Sequence, residues 1–149
     1  MQDLLSNITE KAGTVPGINY SDENWGQLQY FGKECPVKWP CVLVEFGSGQ
    51  FSNNGYDYIA DDHSQQGTIF IEITVANLKL TNTSTRAPLS QKTKGFDVWK
   101  IVDDVHKTLQ GFKALENSGA LVRTSMQSVK RDDGVQEKRI IYSLGVSGC

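Results

Sequence analysis

Between Thr68 and Leu78, Ile69, Ile71, Ile73 and Val75 alternate with Phe70, Glu72 and Thr74, the period of two that a half-buried strand imposes. A different period governs Phe96 to Phe112. There Val98, Val102, Val105 and Leu109 recur at helical spacing, Phe96, Trp99 and Ile101 widen the apolar face, and Gly111 marks the end. Near the start, Leu4, Leu5, Ile8 and Ala12 share one helical face over residues 3 to 12, and Gly13 followed by Pro16 supplies the stop. Val42 to Phe46 is a β-rich run entered through Trp39-Pro40, where a proline costs no ladder hydrogen bond. Two further strands are predicted at Leu121 to Val129 and Lys138 to Val146, joined through Arg131-Asp132-Asp133-Gly134, a strong hairpin signal. In the second of them Ile140, Tyr142, Leu144 and Val146 should share the buried face.

The stretches between these elements read differently. From Thr14 to Lys38 the pattern is poor; Ser21-Asp22-Glu23 could cap a short helix carrying Trp25 and Leu28 and ending at Gly32, although Gly26 weakens it. Gly47 to Gln66 contains Asn53-Asn54-Gly55 and Asp61-Asp62, and is expected to cross solvent as a long loop or a distorted hairpin tip. Residues 79 to 95, rich in Thr, Ser, Lys and Asn, are expected to form a second long loop. The order helix, strand, strand, helix, strand, strand pairs most simply as hairpins. The predicted fold class is therefore α+β: one domain over residues 1 to 149, an antiparallel sheet of about four strands with two main helices packed on one face.

Composition narrows the function classes. The chain has 149 residues, enough for one domain with its own core. Its 15 Lys+Arg against 17 Asp+Glu give a net charge of -2, which argues against specific nucleic-acid binding. No apolar run is long enough for a membrane span, and the start Met1-Gln2-Asp3 does not resemble a secretory signal, so a cytoplasmic protein without a membrane partner is expected. Cys35, Cys41 and Cys149 fit reduced thiols, and the five residues between the first two do not fit zinc-ligand spacing.

Candidate chemistry is sparse. Asp61-Asp62-His63, beside Tyr56, Asp57 and Tyr58, could in principle hold a divalent metal or transfer protons, yet adjacent loop residues rarely converge on one ion, and a solvated loop tip is expected. His106 stands at the border of the helix's apolar face with no partner evident in the sequence, and is expected to be packed or exposed. Gly47-Ser48-Gly49 lacks the Lys-Ser/Thr ending of a phosphate loop. Lys130, Arg131, Lys138 and Arg139 are interleaved with Asp132, Asp133 and Glu137, as on a solvated mixed-charge hairpin. No catalytic residue, metal site or cofactor is predicted, and an enzyme is not expected.

Taken together, the helix Met1 to Gly13, the entry Trp39-Pro40-Cys41-Val42-Leu43-Val44-Glu45, the strand Gly67 to Val75, the helix Asp97 to Phe112 and the closing hairpin resemble the tail terminator, or tail completion, proteins of long-tailed bacteriophages. The resemblance lies in order and spacing over most of the chain rather than in a motif. It implies a small α+β subunit that closes into a homo-hexameric ring on the tail tube, stops tube growth and meets the head connector. The partners so implied are further copies of itself, the tail tube and head-connector proteins. Its place would be the host bacterial cytoplasm during assembly and then the virion tail. Phe51, Tyr56, Tyr58, Ile59 and Leu89, apolar residues in the two long loops, are the oligomer-interface candidates. A small ligand- or peptide-binding module with Phe51, Tyr56 and Tyr58 lining a pocket is the alternative.

Overall fold

In the computed structural model residues 1–29, 36–53, 65–78, 86, 97–131 and 134–148 are described. Along the chain they form α1 (Gln2–Gly13), β1 (Tyr20–Glu23), a 3-10 turn (Gln27–Gln29), β2 (Cys41–Asn53), β3 (Gln65–Leu78), α2 (Asp97–Leu109), β4 (Val122–Val129) and β5 (Val135–Ser147). A single sheet takes all five strands in the order β1-β2-β3-β5-β4. The pairs β2/β3, β3/β5 and β4/β5 are antiparallel, as expected of hairpins and their neighbours. The α+β class holds, with two corrections: there are five strands rather than four, and β1 runs parallel to β2.

Burial explains the architecture. The alternation in β3 sends Ile69, Ile71, Ile73 and Val75 to the face on which both helices lie, and β5 sends Ile140, Tyr142, Leu144 and Val146 to the same face. Against them pack Leu4, Ile8 and Ala12 of α1 and Val98, Val102, Val105 and Leu109 of α2, all nearly or fully buried. Each such Leu, Ile or Val side chain contributes about 1.5–3 kcal/mol by leaving water. Gly111, at φ +78°, turns the chain out of α2, a conformation that favours glycine.

The opposite, outer face of the sheet is covered at one end. Cys41, Leu43 and Ala76 are fully buried there beneath Leu28 and Val37. The stretch in which a short helix was conceivable is thus a four-residue strand and one 3-10 turn; Leu28 packs down, while Trp25 stands 55% exposed.

Gly47 to Gln66 also departs from expectation. β2 continues through a bulge at Gly47 as far as Asn53, and β3 begins at Gln65, so both ends of the expected loop are ladder, while 54–64 lie outside the described residues. Both faces of β2 beyond Glu45 are largely exposed, which removes the apolar alternation by which a strand is recognised. Backbone pairing holds this end: β3 pairs with β2 from Gln65 to Ala76 and with β5 from Gln66 to Leu78. Gly47-Ser48-Gly49 accordingly lies in a strand. Trp99, read as part of the buried face, is 36% exposed and lies beneath Lys138, whose Nζ is 4.4 Å from the ring centroid.

Candidate assembly surface

The far end of the sheet forms a platform projecting past the buried core. On its helix side the rings of Phe46 and Phe51, 37% and 44% exposed, converge over Gly49. A Cβ at Gly49 would come within 2.8 Å of the Phe51 ring and 3.3 Å of the Phe46 ring. Across the ladder, a Cβ at Gly67 would meet the Gln50 carbonyl oxygen at 2.5 Å and the Phe51 ring at 2.6 Å. The two glycines therefore leave the seat on which Phe51 rests, and the aromatic pair is fixed on a rigid ladder while open to solvent.

Beside it lies an open cleft of about 810 Å³, lined among others by Phe51, Gly67, Glu116, Asn117, Gly145 and Ser147. Its wall is tied back to β5: the Gly119 amide donates to the Gly145 carbonyl at 2.7 Å, and Asn117 Nδ2 donates to the Ser147 carbonyl at 2.9 Å. Among the described residues the lining offers amides, hydroxyls and a single carboxylate, Glu116, which suits hydrogen-bonded contact.

On the helix face His106 does have a partner. Its Nδ1 lies 3.1 Å from the Tyr142 hydroxyl, with the rings stacked at 6.1 Å. Burial, helped by the nearby Arg123 cation and opposed by Asp103, lowers the His106 pKa, and burial pushes Tyr142 up to about 12. With both rings neutral, the tautomer of His106 sets which of Nδ1 and the Tyr142 hydroxyl donates. The pair is a polar tie between α2 and β5.

The last hairpin is not the solvated mixed-charge feature its sequence suggests. The Glu137 carboxylate is buried on the outer face, 3.8 Å from Arg131 and 3.6 Å from Arg139, and Arg139 reaches Glu72 at 3.5 Å. Arg131 also donates to the Leu28 carbonyl, holding the 3-10 turn against the sheet. Pairing of Glu137 with Ala76 places it under the segment that follows β1, a position the local sequence could not reveal.

Of the predicted interface residues, Phe51 lies on the platform as described; Tyr56, Tyr58, Ile59 and Leu89 fall outside the described residues, as do Asp61, Asp62, His63, Cys35 and Cys149. Phe46 was missed because it closes an apolar run that reads as buried strand, and Trp25, Val122 and Met126 because single exposed apolar residues carry no periodicity. Among the described residues no three of His, Cys, Asp and Glu gather as metal ligands, and no helix is long and apolar enough to cross a membrane. Compared with known proteins, the chain matches no family model and no curated protein.

Proposed function

We propose that this chain is a structural subunit of a phage or prophage tail, a terminator that forms a ring of six at the end of the tail tube and joins it to the head connector. The observation that carries the reading is the Phe46/Phe51 pair: two large apolar rings held in solvent on a glycine-seated ladder, where a partner would bury them. The order of elements that underlies the family resemblance supports it as well. In this reading the chain works by shape and contact, and calls for no cofactor.

Light scattering and sedimentation over a concentration series, with and without purified tail tubes, test it. The expected result is a species six times the mass of the 16.5 kDa chain, with Phe51→Ser weakening assembly while the thermal melt stays within a few degrees of the parent. A parent that remains monomeric throughout, and neither binds nor caps tubes, overturns the reading. The cleft beside Phe51 would then put a peptide- or ligand-binding module first.

A further inference from the structure

We infer that copies of this chain join by sheet extension, the outer edge of β4 in one copy pairing antiparallel with the outer edge of β1 in the next. The inference rests on the ring reading and specifies one contact of the ring, additional to the Phe46/Phe51 surface.

Among the described residues no strand pairs with the outer edge of either β1 or β4, which end the sheet. β4 is bare on both faces from Val122 to Ser128, with Val122 48% and Met126 44% exposed. A strand edge of this kind offers alternate N–H and C=O groups to another chain. β4 is also regular where it matters: its bulge lies at Thr124, and Ser125 to Val129 then pair with β5 without a break.

Direction and level both fit. β1 runs with β2, and successive antiparallel pairings then leave β4 running opposite to β1. A neighbour rotated about an axis along the strands keeps its strand directions, so its β1 meets β4 antiparallel. The register rows cross the sheet free of bulges at this level: Tyr20, Cys41, Ala76, Glu137 and Val129 form one, and Glu23, Val44, Ile73, Ile140 and Met126 another. An in-level neighbour therefore places its Tyr20–Glu23 opposite Val129 to Met126, the regular part of β4.

Charge selects this pairing over the symmetric ones. β1 carries Asp22 and Glu23, with exposed Trp25 just beyond, whereas Val122 to Arg131 contains no acidic residue and carries Arg123 and Lys130, both exposed. Two β4 edges would bring basic residues together, and two β1 edges acidic ones. Pairing β4 with β1 puts Glu23 opposite Met126 on the helix side, and Arg123, two pairing levels from Met126 on that same side, becomes its diagonal neighbour. Diagonal positions about 7–8 Å apart are within reach of long side chains. Because the joined edges differ, each copy keeps one of each to offer, and growth stops when the ring closes.

The test uses the full chain and charge reversal at two exposed positions. Glu23→Arg and Arg123→Glu should each raise the concentration of half-assembly by about tenfold or more, the equivalent of about 1.4 kcal/mol per contact. The double variant Glu23→Arg/Arg123→Glu should return it to the parent value, with all three melting like the parent. Hydrogen exchange should show amides of residues 125 to 129 becoming protected on assembly. Single variants that assemble like the parent, or a double variant that does not recover, overturn this contact while the ring stands. A parent that never assembles, alone or with tail tubes, overturns both.

Discussion

Replacing Glu137 by Gln removes one buried charge and little volume, which isolates what the carboxylate does. It lies within 4 Å of two guanidinium groups, at 3.8 Å for Arg131 and 3.6 Å for Arg139. At an effective dielectric of about 20 each contact represents roughly 4 kcal/mol of Coulomb attraction, against a desolvation penalty of several kcal/mol per ion. Among the described residues Glu137 Oε2 and Arg139 Nε have no hydrogen-bond partner, so charge rather than bond geometry balances this cluster. With the carboxylate gone, Arg131, its side chain only 12% exposed, keeps its bond to the Leu28 carbonyl, and both guanidinium groups lose the Glu137 charge beside them. The expected cost is about 3–5 kcal/mol, the range for breaking one side of a buried pair. That is a large part of a total stability of about 5–15 kcal/mol. Urea denaturation measures it: for an m-value near about 2 kcal/mol per M, the midpoint should fall by about 1.5–2.5 M. Glu45→Gln, on exposed β2, serves as control and should stay within about 0.5 kcal/mol of the parent. A Glu137→Gln protein as stable as that control would refute the argument that this carboxylate holds the outer-face cover in place.

Val102, 1% exposed at the centre of the α2 face, should not tolerate Asp: an uncompensated buried charge costs several kcal/mol, and the expected result is loss of cooperative, soluble folding. Parent-like melting of Val102→Asp would contradict the packing of α2. Folded Tyr142 holds its proton up to about pH 12 and the unfolded side chain releases it near 10.0, so stability present below pH 10 should fall by roughly 2–3 kcal/mol as pH rises through that window. Tyr142→Phe should remove this alkaline loss and cost about 1 kcal/mol at neutral pH through the missing bond to His106. Denaturation curves at stepped pH check both. His106 acts at the other end, because its lowered folded pKa makes stability fall as pH drops below the ordinary histidine value of 6.5.

Legibility followed burial. β3, α2 and the inner face of β5 could be read from the chain because one face of each is packed and the other is not, and the apolar period records that difference. β1 could not: four polar or half-buried residues become a strand only by pairing with β2, whose own burial does the work. The outer half of β2 was hidden for the related reason that Gly47 to Asn53 are held by backbone pairing in solvent. Glu137 looked solvated because its covering elements lie about a hundred residues earlier, as the span from Arg131 to Leu28 shows. In the candidate surface, Phe51 stood out as an apolar residue in a polar stretch, whereas the edges that β1 and β4 present are properties of strand order, which no local pattern encodes.

The position of β5 between β3 and β4 bears on synthesis at the ribosome. Val135–Ser147 is the last described strand to be made, yet it occupies an interior lane of the sheet. Until it emerges, a nascent chain holds β3 with one edge open and β4 with no partner among the described strands. β3 is then an unclosed strand, the kind of surface that chaperones hold and that aggregates when they do not. Closure of the sheet therefore waits for Val135–Ser147, and a chain truncated before Val135 leaves β3 and β4 unjoined rather than giving a smaller version of the same fold.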